Sequence, residues 1–279
     1  MIPDLLPDSG PKVETDAVEF LLNARDTSGA RQVAEAALRK FPGNREVLNE
    51  HVAVLARLGQ YDTAIREIEG LPNYAFDRQA LVDIASVQDR AKRYAEASRT
   101  IDSLAAISTN DSEQAEAHYL RGAMREHEGN TEAAEAEFRK VLAADPKSSA
   151  AMNYLGYMFA DRGVRLEEAR QLISRAIELE PDNGAYFDSL GWTDFRMGRL
   201  DQAAEELRKS IETQAGDPLV LDHLADVYFK QGKIGEAVRE WEASVAAFQA
   251  ALPGDQDPAG LARVTKKLEN ARVRAAAGK

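Results

Sequence analysis

The sequence predicts an all-α solenoid built from helix pairs, and three observations carry that prediction. The first is a fixed period. The stretch YFDSLGWTDFRMGRLDQAAEEL, Tyr186 to Leu207, returns 34 residues later as VLDHLADVYFKQGKIGEAVREW, Val220 to Trp241. Asp188 and Asp222, Leu190 and Leu224, Gly198 and Gly232, Ala203 and Ala237, and Glu206 and Glu240 coincide. Self-similarity at such a period marks stacked units that cannot bury their apolar faces alone. The second is that apolar residues sit at helical spacing in both halves of each unit. The third is a turn centred on Gly59, Gly129, Gly163, Gly198 or Gly232 between the halves. Glycine is favoured just past a helix end, where the backbone turns left-handed.

Sliding the frame both ways gives seven units: 11–44, 45–77, 78–114, 115–148, 149–183, 184–217 and 218–251. The second is one residue short, the third three long and the fifth one long, its extra residue lying in DRGVRLEEA. Pro42, Pro146 and Pro181 close the first, fourth and fifth units, where a helix must stop. The first unit has RDTSG where others have a glycine turn, and SLAAISTNDSEQ, 103–114, is read as irregular. Residues 1–10 form an N-terminal extension and 252–260, LPGDQDPAG, a linker rich in turn residues. A last helix over 261–276, basic on part of its face, is expected to cap the apolar flank of the final unit.

The repeated small residues specify packing. One position of the second helix is alanine in all seven units: Ala30, Ala64, Ala97, Ala134, Ala169, Ala203 and Ala237. The matching position of the first helix holds Val18, Val52, Ala85, Gly122, Gly156, Gly191 and Ala225. Antiparallel helices that approach closely need small side chains where their axes cross. A glycine inside a helix costs about 1 kcal/mol relative to alanine, so Gly122, Gly156 and Gly191 are expected at close contacts that offset the cost.

Residues 11–251 carry this pattern and resemble the tetratricopeptide repeat family. The likeness is strongest from the fourth unit onward, as in NYLGYMFADRGVRLEEARQLISRAIELEPDN. It is weaker in the first three units, and Arg121 stands where the family has an apolar residue. Residues 115–251 also look like the C-terminal part of long bacterial tetratricopeptide proteins. The resemblance implies a right-handed solenoid whose first helices line a concave, ligand-binding face.

Composition excludes several classes of function. A formal net charge of −12 argues against a general nucleic-acid binder, which shows a basic face. The absence of cysteine removes thiolate chemistry and disulfides. The histidines His51, His118, His127 and His223 lack metal-ligand spacing, and the sequence contains no phosphate-binding glycine loop and no Gly-x-Ser-x-Gly elbow. No catalytic residue, metal site or cofactor is therefore expected. No apolar run approaches the ~20 residues that span a bilayer. The opening MIPDLLPDSGPK lacks the basic and apolar regions of a signal peptide. Bacterial cytoplasm and periplasm both remain open, as does a signal removed ahead of the first residue.

What the resemblance implies for a binding site is specific. Groove-facing positions of the three best-matching first helices hold Asn153 and Tyr157; Asp188, Trp192, Phe195 and Arg196; and Asp222, Asp226, Phe229 and Lys230. The sets 188/192/195 and 222/226/229 follow i, i+4, i+7, so each forms one stripe of a helix. Family members that clamp a C-terminal carboxylate carry Lys with Asn and then Lys with Arg. Here Asn153, Asp188, Ser189, Asp222 and His223 stand at the comparable places, without the cationic half. The alternative for the rings is packing between neighbouring repeats. The function expected is a non-catalytic scaffold that binds a protein or peptide with basic and apolar residues. Two alternatives remain: an interaction fragment of a larger enzyme or membrane-associated assembly, and a self-associating solenoid.

Overall fold

The structure is a computed structural model that describes residues 10–213 and 216–277. All but the last residue of the extension expected at 1–10 lies outside the described residues, as do residues 214–215 of the sixth repeat. Fifteen α-helices and no strand occur among the described residues, and they divide into two compact units.

The N-terminal unit runs to Asn130 and takes in Leu252–Asp255. Its helices are α1 (Pro11–Asn23), α2 (Thr27–Lys40), α3 (Arg45–Arg57), α4 (Tyr61–Glu69), α5 (Arg78–Arg90), α6 (Tyr94–Ala106) and α7 (Asp111–His127). The C-terminal unit comprises Thr131–Ala251 and the chain from Gln256 onward. It holds α8 (Thr131–Ala144), α9 (Ser149–Arg162), α10 (Leu166–Leu179), α11 (Gly184–Arg196), α12 (Leu200–Thr213), α13 (Pro218–Lys230), α14 (Ile234–Gln249) and α15 (Pro258–Ala277).

Six of the seven first helices start on side-chain caps. Asn44, Asp77, Asn110, Ser148, Asn183 and Asp217 each accept a backbone N–H of the first turn, at 2.8–3.4 Å. Such caps satisfy donors that have no partner inside the helix. Second helices start instead after a left-handed residue. Gly59, Gly129, Gly163, Gly198 and Gly232 have φ of 73°, 84°, 68°, 78° and 80°. Where the first and third repeats lack glycine, Arg25 and Lys92 adopt the same conformation, with φ of 62° and 59°. The turn geometry is thus kept although its preferred residue is missing, at a conformational cost of about 1–2 kcal/mol for a non-glycine residue.

One expectation is corrected. Most of 103–114 is helical: α6 continues to Ala106 and α7 begins at Asp111, leaving 107–110 between them. The physical reason is the density of capping around Asn110. Its side chain accepts from Glu113 N at 3.0 Å, while Glu113 Oε2 accepts from Thr109 N at 2.6 Å. Gln114 Nε2 closes the turn by donating to Ala105 O at 3.0 Å. The three extra residues of the third repeat accompany an early start of α7, the 17-residue first helix of the fourth repeat, at Asp111.

The crossings carry the core. The seven framed alanines are all 0% exposed. In the C-terminal unit the approach is measurable. A Cβ placed on Gly156 would lie 2.6 Å from Ile173 Cγ1 and 3.0 Å from Ala169 O. One on Gly191 would lie 2.7 Å from Leu207 Cγ and 3.1 Å from Ala203 O. These backbones sit closer than a methyl group permits, which is why the helix tolerates glycine there. In the N-terminal unit Leu48, Val52, Leu55, Ala64, Ile68 and Ile84 form the core between α3, α4 and α5.

Candidate functional site: the first-helix face of the C-terminal unit

The face is built by α9, α11 and α13, with α11 packed against both of the others. The stripe on α11 places Asp188 one turn before Trp192 and Phe195 one turn after it. Trp192 is half-buried. Its ring stacks with Phe195 at a centroid distance of 5.0 Å and 20° between planes. It also stacks with the His223 ring of α13, at 4.2 Å and 17°. The Arg196 guanidinium lies 5.7 Å from the indole centroid, and Arg196 Nη1 donates to the Asp161 carbonyl.

Two polar atoms on this face have no hydrogen-bond partner among the described residues. They are the indole Nε1–H of Trp192 and Oδ1 of Asn153 on α9. Both atoms are shielded from solvent, and a buried polar group left unsatisfied costs about 1–3 kcal/mol. Tyr157, one helical turn beyond Asn153, is half-buried.

Asp188 is engaged within the chain. Its Oδ1 lies 2.8 Å from His223 Nδ1, and both side chains are largely buried. Burial works to lower the His223 pKa, but the nearby carboxylates of Asp188, Asp222 and Asp226 outweigh it and raise the imidazole above its ordinary value. The charged imidazolium is thus favoured, and it is the indole's stacking neighbour.

The stripe on α13 has a different fate. Asp222 is 2% exposed: its Oδ1 accepts Trp241 Nε1–H at 2.8 Å and Lys267 Nζ at 2.8 Å. Lys267, on α15, also reaches Asp226 Oδ2 at 2.7 Å. Phe229 tilts against Trp241 at 5.4 Å, and the Arg274 guanidinium lies 5.2 Å over its ring. Lys230 points to solvent. Asp222, Asp226 and Phe229 are therefore already in contact with basic side chains of the chain's own last helix. That helix starts at Pro258, earlier than the periodicity indicates, and packs Val264, Leu268 and Ala271 with Ala225, Trp241 and Phe248.

The structure thus joins Trp192, Phe195 and Asp188 through His223 and sets Asp222 and Asp226 together under Lys267. Sequence reasoning missed His223 as the shared neighbour and Lys267 as the counter-ion. Only the basic character of 261–276 hinted at the second. It also missed Asp194, fully buried behind the stripe, where Arg170 Nε lies 2.9 Å from Oδ1. Among the described residues no cluster of His, Asp and Glu could hold a metal ion, and no helix is long and apolar enough to cross a membrane.

Comparison with known proteins agrees with this architecture. The chain is 41% identical over 81 residues to TPR repeat-containing protein PA4667 of Pseudomonas aeruginosa, a stretch covering 29% of this chain and 14% of that protein. The chain therefore matches only a small part of that relative's length. The fold is similar to a tetratricopeptide repeat protein from Parabacteroides merdae, with TM-score 0.60 and 17% identity, over 94% of this chain and 98% of that one. It is similar to Pseudomonas aeruginosa PilF, with TM-score 0.53 and 21% identity, over 72% of this chain and 97% of that one. PilW, described as a widely conserved type IV pilus biogenesis factor, gives TM-score 0.54 and 18% identity, over 69% of this chain and 92% of that one. At these identities the solved structures speak to fold alone. A family model for the tetratricopeptide repeat matches residues 21–77, 82–149, 128–184 and 189–258, and the chain belongs to that family.

Proposed function

We propose that the protein is a non-catalytic scaffold that binds an extended peptide segment of another protein on the face of α9 and α11, with Trp192 at its centre. The observation that carries this reading is the indole itself. It is stacked against Phe195 and His223 and its ring is half-buried, so it is held in place while part of it stays open to solvent. A rigid aromatic platform of this kind is enriched among binding hot spots. The acids expected to draw a basic partner residue are already paired within the chain, Asp188 with His223 and Asp222 and Asp226 with Lys267, so this reading assigns no basic residue to the partner. The net charge of −12 favours a protein over a nucleic acid.

The test is capture of partners by the full chain, identification by mass spectrometry, and titration of the partner's synthetic segments against wild type and Trp192→Ala. Trp192→Ala is expected to weaken binding by about 2 kcal/mol or more while circular dichroism stays unchanged. Asp188→Asn should weaken binding to a smaller extent, through the His223 ring that Asp188 holds against the indole. Equal affinity for both variants and wild type rejects this face. Loss of helicity in Trp192→Ala would make the ring a core residue.

A further inference from the structure

The segment Leu252–Asp255, expected from its composition to be a linker, is bound. Leu252 is buried in a cluster with Val18, Leu22, Val33 and Val54. Pro253–Asp255 forms a single 3-10 turn against α3. Gly254 passes so close that a Cβ there would fall well inside van der Waals contact of the Ala56 carbonyl oxygen. Asp255 then places one carboxylate oxygen 3.1 Å from Arg57 Nε on α3 and the other against Arg90 Nη1 on α5.

Those two arginines also line a cleft of about 250 Å³ between α3 and α5, with Val52, Ala53 and Val87 on its walls. Asp83, the acid of that lining, is paired with Arg45 Nη2 at 3.2 Å. The cationic groups at this end of the cleft are thus the two that hold Asp255. They stand out in a chain of net charge −12.

The geometry points to a second binding site, distinct from the Trp192 face: the Arg57–Arg90 end of the α3–α5 cleft receives a turn-forming acidic segment with a leucine three residues before a carboxylate. Leu252–Asp255 is its built-in occupant, which a partner segment of the same chemistry displaces. The contacts have the character of a displaceable ligand. Pro253 stiffens the segment, glycine permits close backbone approach, Leu252 anchors one end and a bidentate carboxylate the other. Both ion pairs are substantially exposed, at 35% and 29% for Arg57 and Asp255 and 44% for Arg90, and exposed pairs hold weakly. A tethered occupant competes by effective concentration, so an outside segment binds well only when the tethered one has been released.

Gly254→Ala in the full chain is the variant that releases it, because the added methyl collides with backbone. A fluorescein-labelled peptide with the sequence of residues 249–257 is titrated against wild type and variant by anisotropy. Gly254→Ala is expected to bind it at least about tenfold more tightly than wild type. Adding Arg90→Glu, or replacing the peptide's aspartate at position 255 by asparagine, should remove at least about tenfold. Faster amide exchange over 54–59 in Gly254→Ala reports release. Asp255→Lys is the second opener, used if circular dichroism shows Gly254→Ala unfolded. Equal binding by wild type and an opened variant, no binding to an opened variant, indifference to Arg90→Glu, or unchanged exchange in both openers each overturns the proposal.

Discussion

Lys267 Nζ lies 2.8 Å from Oδ1 of Asp222, an aspartate that is 2% exposed. The same ammonium reaches Asp226 at 2.7 Å, so one cation from α15 bridges two carboxylates of α13. Burying an acid without a counter-ion costs several kcal/mol, and here the last helix supplies that counter-ion together with its apolar stripe. Capping of the final repeat is therefore electrostatic as well as hydrophobic.

Lys267→Met keeps much of the side chain's volume and removes its charge. It should destabilise the C-terminal unit by about 2–4 kcal/mol, because Asp222 is left buried and unpaired by the ammonium. Asp222→Asn in the Lys267→Met background should recover part of the loss, since neighbours in one network are not additive. Chemical denaturation of Lys267→Met, Asp222→Asn and the double variant checks this. Additive losses would show that the two groups act independently.

The pH dependence of the C-terminal unit has a definite sign. The His223 pKa is raised by the carboxylates around it against the opposing effect of burial. The native state therefore binds its proton more tightly than the unfolded chain. That stabilisation is fully present below the ordinary histidine value of about 6.5 and is lost as pH rises through the raised native value. Asp226, raised chiefly by burial, adds in the same direction: neutralising it on acidification relieves the cost of a buried charge. The transition of this unit should move to lower denaturant as pH is raised from about 6 to 8. His223→Gln should flatten the part of the curve above about 6.5.

Gly191→Ala and Gly235→Ala should act with opposite signs, although both are glycine to alanine within a helix. A Cβ at Gly191 would meet Leu207 Cγ at 2.7 Å, whereas one at Gly235 has nothing within 4 Å. Overpacking at Gly191 should cost about 1–3 kcal/mol net of the propensity gain. At Gly235, close to the start of α14, alanine should stabilise by about 0.5 kcal/mol. Thermal melts of the two single variants decide this, and the same sign for both would reject the close crossing.

Lys92 holds a left-handed turn, φ 59°, that other repeats assign to glycine. Its side chain is exposed. Lys92→Gly should therefore stabilise the N-terminal unit by about 0.5–1 kcal/mol, the relief of αL strain exceeding the added freedom of the unfolded chain. Denaturation followed by amide exchange in α5 and α6 reads it. A loss of stability would mean that the turn is not strained.

The sequence by itself determined the repeating parts of this protein. The 34-residue period, the alanine at each crossing and the glycine after most first helices are local features of helix geometry, so they appear wherever the pattern recurs. The stripe 188/192/195 was legible for the same reason, because its members lie on one face of one helix. Tertiary structure decided what those stripes meet. His223 joins Asp188 to Trp192 from the next first helix, and Lys267 returns across a turn-rich segment to the acids of α13. Asp255 pairs with Arg57 across a sequence separation of 198 residues. Helical periodicity records spacing along the chain, and such pairings depend on where the chain comes back. Repetition cannot reveal them either, because Lys267 and Asp255 lie beyond the last repeat, where each contact is made once.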